Sequence, residues 1–170
     1  MQGTILILDS VSTNRIMLKV QLSASHYHVV QSDRLDGLLN LARRCRPDAV
    51  ITAMDLCDGD ARTVRRILSQ DDMLAEIPII AVTPQNDRAA RLRALDAGID
   101  DAQSQPLDDM VLQARLRSLI RTHGAAEDLR MCEGGTSPVG FAEATAGPLQ
   151  PSPVRTARIA LLTGNGSSGA

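Results

Sequence analysis

Two positions that could do chemistry stand directly behind apolar runs. Asp9, with Ser10 next to it, follows the run Thr-Ile-Leu-Ile-Leu at 4–8, and Thr83 follows the run at 78–82. A carboxylate placed there can help hold a hard cation, which requires oxygen ligands. A hydroxyl there can donate one hydrogen bond and accept others. The run at 48–53 ends instead on Ala53, which supplies neither charge nor nucleophile. A fifth, polar segment at 101–104 leads to Gln105, an uncharged amide. Three more acids, Asp55, Asp58 and Asp60, follow Ala53 in a loop and are expected to be solvated. Asp9 can also serve simply by capping the next turn, and Thr83, before Pro84, suits a helix N-cap. The other reactive types form no set. Cys45, Cys57 and Cys132 lie far apart at no metal-ligand spacing and read as reduced thiols. His26 and His28, on either side of Tyr27, carry no metal expectation. Glycines recur between 164 and 169, but the helix and lysine of a phosphate-binding loop are missing.

These positions need elements to hold them. The run at 4–8 suits a strand covered on both faces. A helix is expected from Ser12 or Thr13, with Met17 and Val20, and Leu18 and Leu22, recurring at spacings of three and four. A second strand falls at 27–30. The second helix carries Leu35, Leu38, Leu39 and Ala42 at i, i+3, i+4, i+7, after caps at Ser32 or Asp33, and Pro47 ends it. Strands at 48–53, 78–82 and 101–104 alternate with helices marked by Val64, Ile67 and Leu68, by Ala89, Leu92 and Leu95 with Gly98 as the stop, and by Leu112, Leu116, Leu119 and Ile120. Five alternations with short connections predict an α/β fold: a five-stranded parallel sheet, doubly wound, with helices on both faces. In open sheets of this kind ligands sit at the carboxyl ends of the strands, near the switch in strand order. That singles out Asp9, Ser10, Ala53, Thr83 and Gln105.

Composition limits the classes. The 170 residues allow one ordinary domain and a remainder. With Tyr27 and Phe141 the sole aromatics, the core must be aliphatic. A formal net charge of −2 gives no general reason to expect nucleic acid or a membrane surface. No apolar run approaches the roughly 20 residues of a membrane span. Without a signal segment, the cytoplasm is the default. Residues 1–124 read as the domain, and 125–156 as a helix end followed by a linker rich in Gly, Pro, Ser and Thr. The run Ala-Arg-Ile-Ala-Leu-Leu at 157–162 resembles an opening strand, so 157–170 reads as the start of a second, similar domain.

The ordered set of stretches resembles the receiver domain of two-component response regulators over residues 3–123. The stretches are Ile5-Leu6-Ile7-Leu8-Asp9 with Asn14, Arg46-Pro47-Asp48, and Ile77-Pro78-Ile79-Ile80-Ala81-Val82-Thr83. They continue with Ala97-Gly98-Ile99-Asp100-Asp101, and with Gln105-Pro106-Leu107-Asp108 before Ala114-Arg115-Leu116-Arg117-Ser118-Leu119. Within the family the sequence is most similar to the first receiver of PleD-type diguanylate cyclases. The resemblance implies the (βα)5 flavodoxin-like fold and a phosphoryl-accepting pocket, and this sequence keeps only part of that pocket. Asp9 retains one acid of the magnesium pair, and the second position is Ser10. The nucleophilic aspartate position is Ala53, and an alanine cannot form an acyl phosphate. Thr83 keeps the hydroxyl, the lysine position is Gln105, and the aromatic that couples the pocket to the fifth strand falls on Ala102.

The resemblance therefore implies a non-phosphorylatable receiver, an interaction and dimerisation module of two-component signalling and the N-terminal part of a diguanylate cyclase. It has no catalytic residue and no cofactor, beyond a weak Mg²⁺ contact that Asp9 could retain. The alternative is an active acceptor using Asp55 with Asp9 and magnesium. Asp55 keeps the strand parity of Ala53 but lies past the strand end. A third class, a flavodoxin-like enzyme, lacks any phosphate loop or catalytic dyad. Expected partners are a second copy, an adjacent receiver or output domain, and a histidine kinase or adaptor. Arg88, Arg91 and Arg93 on the fourth helix, Asp96, Asp100 and Asp101 after it, and Arg115, Arg117 and Arg121 on the last helix form one charged face. Across a two-fold contact its opposite signs could pair. Otherwise it is a solvated surface whose ion pairs contribute about 0–1 kcal/mol each.

Overall fold

Five short aliphatic runs build the centre of the molecule. The computed structural model describes residues 2–85 and 87–133, with side chains through Ala126. The strands are β1 (Thr4–Leu8), β2 (His28–Ser32), β3 (Ala49–Ala53), β4 (Ile79–Thr83) and β5 (Asp101–Ser104). All pair in parallel, in the order β2-β1-β3-β4-β5. The helices are α1 (Ser12–Ala24), α2 (Leu38–Cys45), α3 (Ala61–Leu68), α4 (Arg88–Asp96) and α5 (Asp109–Glu133). This is the doubly wound arrangement expected from the alternation, and the flavodoxin-like fold that the resemblance implies.

Alternation along the strands splits the core in two, because successive side chains point to opposite faces. Leu6, Leu8, Val50, Ile79, Ala81 and Ala102 pack with residues of α2, α3 and α4. Ile5, Ile7, Ala49, Ile51, Ile80 and Val82 pack against Leu18 and Leu22 of α1 and Leu112 and Leu116 of α5. Burying each large aliphatic side chain contributes about 1.5–3 kcal/mol.

Several local expectations need correction. On α1 the buried pair is Leu18 and Leu22, while Met17 and Val20 are exposed. On α4 the buried residues are Ala90 and Ala94, and Leu92 and Leu95 face outward at 52% and 48% exposure. Neither Ser32 nor Asp33 caps α2. Ser32 bonds locally to Arg34, and α2 begins after Gly37, which is left-handed at φ +70. Thr83 is not the cap of α4; Asp87 is, accepting from the Ala90 N–H at 2.8 Å. Gly98 does stop α4, at φ +79, a conformation open to glycine without strain.

Past the expected domain at 1–124, α5 runs on to Glu133, within the stretch expected to begin as a helix end. The expected linker from 134 to 156 and the strand-like run at 157–162 lie outside the described residues, as does a second unit, 137–170. No helix among the described residues is long and apolar enough to cross a membrane.

Candidate functional site

Strand register assembles the site. Leu8 pairs with Thr52, Ala53 with Val82, and Thr83 with Ser104. Asp9, Ala53, Thr83 and Gln105 therefore stand together at the carboxyl ends of adjacent strands, where the order changes direction between β1 and β3.

Asp9 is 4% exposed, and both carboxylate oxygens are engaged. Oδ1 accepts from the Val11 N–H at 2.7 Å, and Oδ2 from the Asn14 amide at 3.0 Å. The turn-capping role thus occupies this acid. Arg15 adds a positive guanidinium on the same residue, donating from Nη1 to the Asp9 carbonyl at 2.6 Å.

Ser10 has a role that residue type alone did not reveal. Its hydroxyl accepts from the Cys57 N–H at 2.8 Å and donates to the Asp33 carbonyl at 3.4 Å. A neutral side chain thereby ties the loop after β3 to the loop after β2. Asp58 reinforces the tie, its Oδ2 accepting from the Leu35 N–H at 2.8 Å and the Asp36 N–H at 3.4 Å. The loop after β3 folds back as a two-residue antiparallel ladder, Asp55 opposite Asp60 and Leu56 opposite Gly59. A Cβ on Gly59 would stand 2.5 Å from Leu35 Cδ1, so any side chain here would have to displace that terminal methyl.

The loop acids are thus not uniformly solvated. Asp60 is the N-cap of α3, accepting from both the N–H (2.8 Å) and hydroxyl (2.7 Å) of Thr63, and these bonds hold its carboxyl below the usual carboxylate range. Asp55 remains exposed, two residues beyond Ala53.

Thr83 is buried, and its hydroxyl donates to the Gln103 carbonyl at 3.3 Å. Gln105 is half-buried, with its N–H donating to the Thr83 carbonyl at 3.0 Å. Ala102 is buried, beside Ala81 of β4.

These donors do not fit a magnesium ion. One carboxylate is present with each oxygen already hydrogen-bonded, the neighbouring hydroxyl is committed to two backbone groups, and the β3 position carries a methyl. Among the described residues no three His, Cys, Asp or Glu side chains converge as a metal-holding set.

The charged face is only partly available. Asp101 is satisfied within the chain by Arg115 (3.6 Å), the Gln103 amide (2.7 Å) and the Ala102 N–H (2.9 Å). Asp100 is turned to the other end of the sheet, accepting from the Ile79 N–H and from Arg65. Arg88, Arg91, Asp96 and Arg117 are exposed, and Leu92 and Leu95 lie among the α4 charges. The sequence reading placed those leucines inward. The signal for the opposite face was present in the small residues Ala90 and Ala94, which let the helix approach the sheet.

Comparison with known proteins follows the geometry. Residues 5–117 match the family described as response regulator receiver domain. Response regulator PleD of Caulobacter vibrioides (strain NA1000 / CB15N) is 32% identical over 142 residues, which are 82% of this chain and 31% of that protein. A putative response regulator from Chloroflexus aurantiacus superposes with a TM-score of 0.67 at 26% identity, covering 70% of this chain and 98% of its own. A response regulator receiver modulated diguanylate cyclase from Pelobacter carbinolicus gives 0.60 at 28% identity, covering 74% and 97%. The chain spans less than two thirds of the length of the curated relatives it matches.

Proposed function

The chain belongs to the response regulator receiver family, and on that footing we propose that it is a receiver that no longer accepts a phosphoryl group and acts by binding. The observation that carries this reading is the Ser10 bridge beside Ala53. A phosphoacceptor pocket needs an acceptor carboxylate, a cation site and a positive group for the phosphoryl oxygens. Here the acceptor position is a methyl, the second acid is a hydroxyl that holds two loops together, and the lysine position is an amide. Neutral hydrogen bonds occupy the place where a cation would bridge acidic groups. The loops are therefore held in one arrangement without a signal. Asp55 is a poor substitute, being past the end of β3 and exposed.

In this reading the domain is an interaction module of two-component signalling with no reaction of its own. Its partners are a second copy, the next receiver or output domain of a longer chain, and a histidine kinase or adaptor that docks without chemistry. Similarity to PleD and to the receiver of the Pelobacter diguanylate cyclase supports a diguanylate cyclase as the parent protein. The reading includes a cytoplasmic location, no nucleic-acid or membrane partner, and no resident cofactor.

The test is incubation of the full chain with acetyl phosphate and Mg²⁺, read by intact mass. No mass change is expected, and Ala53→Asp alone should also fail to give a phosphorylation-dependent change in association. Ser10 still ties the loops in that variant, Gln105 still supplies no charge, and Ala102 no aromatic ring. A phosphoryl group gained by the unmodified chain and lost in Asp55→Asn would replace this reading with the displaced-acceptor one.

A further inference from the structure

We propose that the outer edge of β2 is a pairing surface for a second copy of this chain, strand against strand and antiparallel about a two-fold axis at Val30. β2 stands at the end of the sheet order, so β1 is its single neighbour among the described strands. Register turns alternate residues outward. The His28 N–H donates to the Gly3 carbonyl at 2.9 Å, and the Ser32 carbonyl accepts from the Asp9 N–H at 3.3 Å. Residues 28, 30 and 32 therefore direct their backbone groups to β1. Val29 and Gln31 direct theirs away from the sheet, where they have no partner among the described residues. Neither residue is fully buried. The Gln31 side chain leaves the edge open, because its amide donates to the Arg15 carbonyl of α1 at 2.8 Å.

Two features select an identical strand as the occupant. The first is that nothing blunts this edge. Exposed edges are commonly guarded by a charge, a proline or a bulge. β2 reads His-Val-Val-Gln-Ser, without Asp, Glu, Lys, Arg or Pro, and pairs with β1 residue for residue. The opposite edge differs. There β5 carries Asp101, fixed by Arg115 at 3.6 Å and by the Gln103 amide at 2.7 Å.

The second is self-complementarity. A strand identical to β2, turned about Val30, presents its outward groups at the spacing required. Val29 then faces the partner's Gln31, and Gln31 the partner's Val29, each pair exchanging two N–H···O bonds. Every outward backbone group of both residues is met. Val30 meets the partner's Val30 as a non-hydrogen-bonded apolar pair. His28 meets the partner's Ser32, beside the exposed carboxylate of the partner's Asp33, to which an imidazole can donate. No like charges stand opposite one another along the strand. The contact lies at the far edge of the sheet from α4–β5–α5, so it neither needs nor excludes that face.

Backbone amide exchange in the full chain, measured across a concentration series beside sedimentation velocity, tests the pairing. The Val29 and Gln31 amides should exchange fast in dilute protein and slow at least tenfold as the dimer forms. The Val30 amide, already bonded to β1, should stay protected throughout. Gln31→Pro removes an outward N–H that β1 does not use, and should raise the Kd at least tenfold. Val30→Cys, with Cys45, Cys57 and Cys132 replaced by serine, should give a covalent dimer on copper phenanthroline oxidation, since the paired Cα atoms would stand about 4.5 Å apart. His28→Cys in the same background should not, because its counterpart lies about 13 Å along the strand. A monomer at every concentration would overturn the proposal, as would fast exchange of both amides wherever the chain associates. So would protection independent of concentration, the mark of another segment of this chain on the edge. An unchanged Kd in Gln31→Pro, or equal cross-linking of the two cysteine variants, would overturn it as well.

Discussion

Replacing Arg65 with alanine should destabilise the domain by about 2–3 kcal/mol, although the residue lies far from the carboxyl-end site. Its guanidinium, on α3, fastens two separate segments. Nε donates to the Gly98 carbonyl at 2.9 Å, Nη1 to the carbonyls of Ala75 (3.0 Å) and Ile77 (3.3 Å), and Nη2 to Asp100. A typical net hydrogen bond contributes about 1 kcal/mol, and removing the donor leaves carbonyls that must find water. The bonds to Ala75 and Ile77 are partly buried and keep most of that value. The bond to Gly98 is exposed and is discounted. The Asp100 carboxylate is 37% exposed, so the ion pair adds only about 0.5 kcal/mol. For a domain of this size the sum corresponds to a fall in Tm of about 8–12 °C. Arg65→Lys should recover only a fraction, because one ammonium cannot reproduce the planar fork that spans the two segments. Thermal unfolding followed by circular dichroism measures both variants. A fall of less than 3 °C for the alanine variant, or full recovery by lysine, would refute this account of how α3 is tied to β4 and β5.

Asp60→Ala removes the α3 cap and should cost about 1 kcal/mol at neutral pH. Since the folded carboxyl titrates below its ordinary value of 3.8, its contribution is fully present above that value and disappears as pH falls through the folded pKa; urea melts of both chains should therefore converge in acid. The α4–β5–α5 face should hold a dimer that forms without Mg²⁺ or phosphodonor and weakens with added salt. Sedimentation equilibrium should show Arg91→Glu with Arg115→Glu raising the Kd, and Leu92→Ser raising it by about tenfold or more, since burying a leucine contributes about 1.5–3 kcal/mol. A strict monomer at high concentration and low salt would remove this face from the proposal.

The sheet was legible because parallel strands buried on both faces are written as unbroken aliphatic runs, with Ile5 to Leu8 and Ile79 to Val82 the clearest. The edge strand β2 was harder. Its residues are only partly buried, and its bounds shifted from 27–30 to His28–Ser32. Helix faces were misread where two apolar sets share one helical spacing. In α1 nothing in the spacing separates Met17 and Val20 from Leu18 and Leu22, and only the sheet decides. In α4 the rule that larger aliphatics go inside fails, because alanine is what allows close helix–sheet approach. The positions of Asp9, Ala53, Thr83 and Gln105 followed from strand ends alone. What Ser10 touches did not, since Cys57 and Asp33 are 47 and 23 residues away in sequence. The Arg65 fork, reaching 10 to 35 residues onward, left no local mark for the same reason.

The unbroken course of α5 has a mechanical corollary. Its 25 residues span about 37 Å, and its packed residues Leu112, Leu116 and Ile120 fix the azimuth of its first half on the sheet. The second half of the helix then carries that azimuth forward like a screw thread up to Glu133. One residue inserted downstream of Gly124 would advance the far end by about 1.5 Å but swing it by about 100°. Seven would lengthen it by about 10 Å and return it to within about 20° of its starting bearing. Tolerance to insertions in α5 should therefore be periodic in their number, with orientation, not reach, as the quantity preserved.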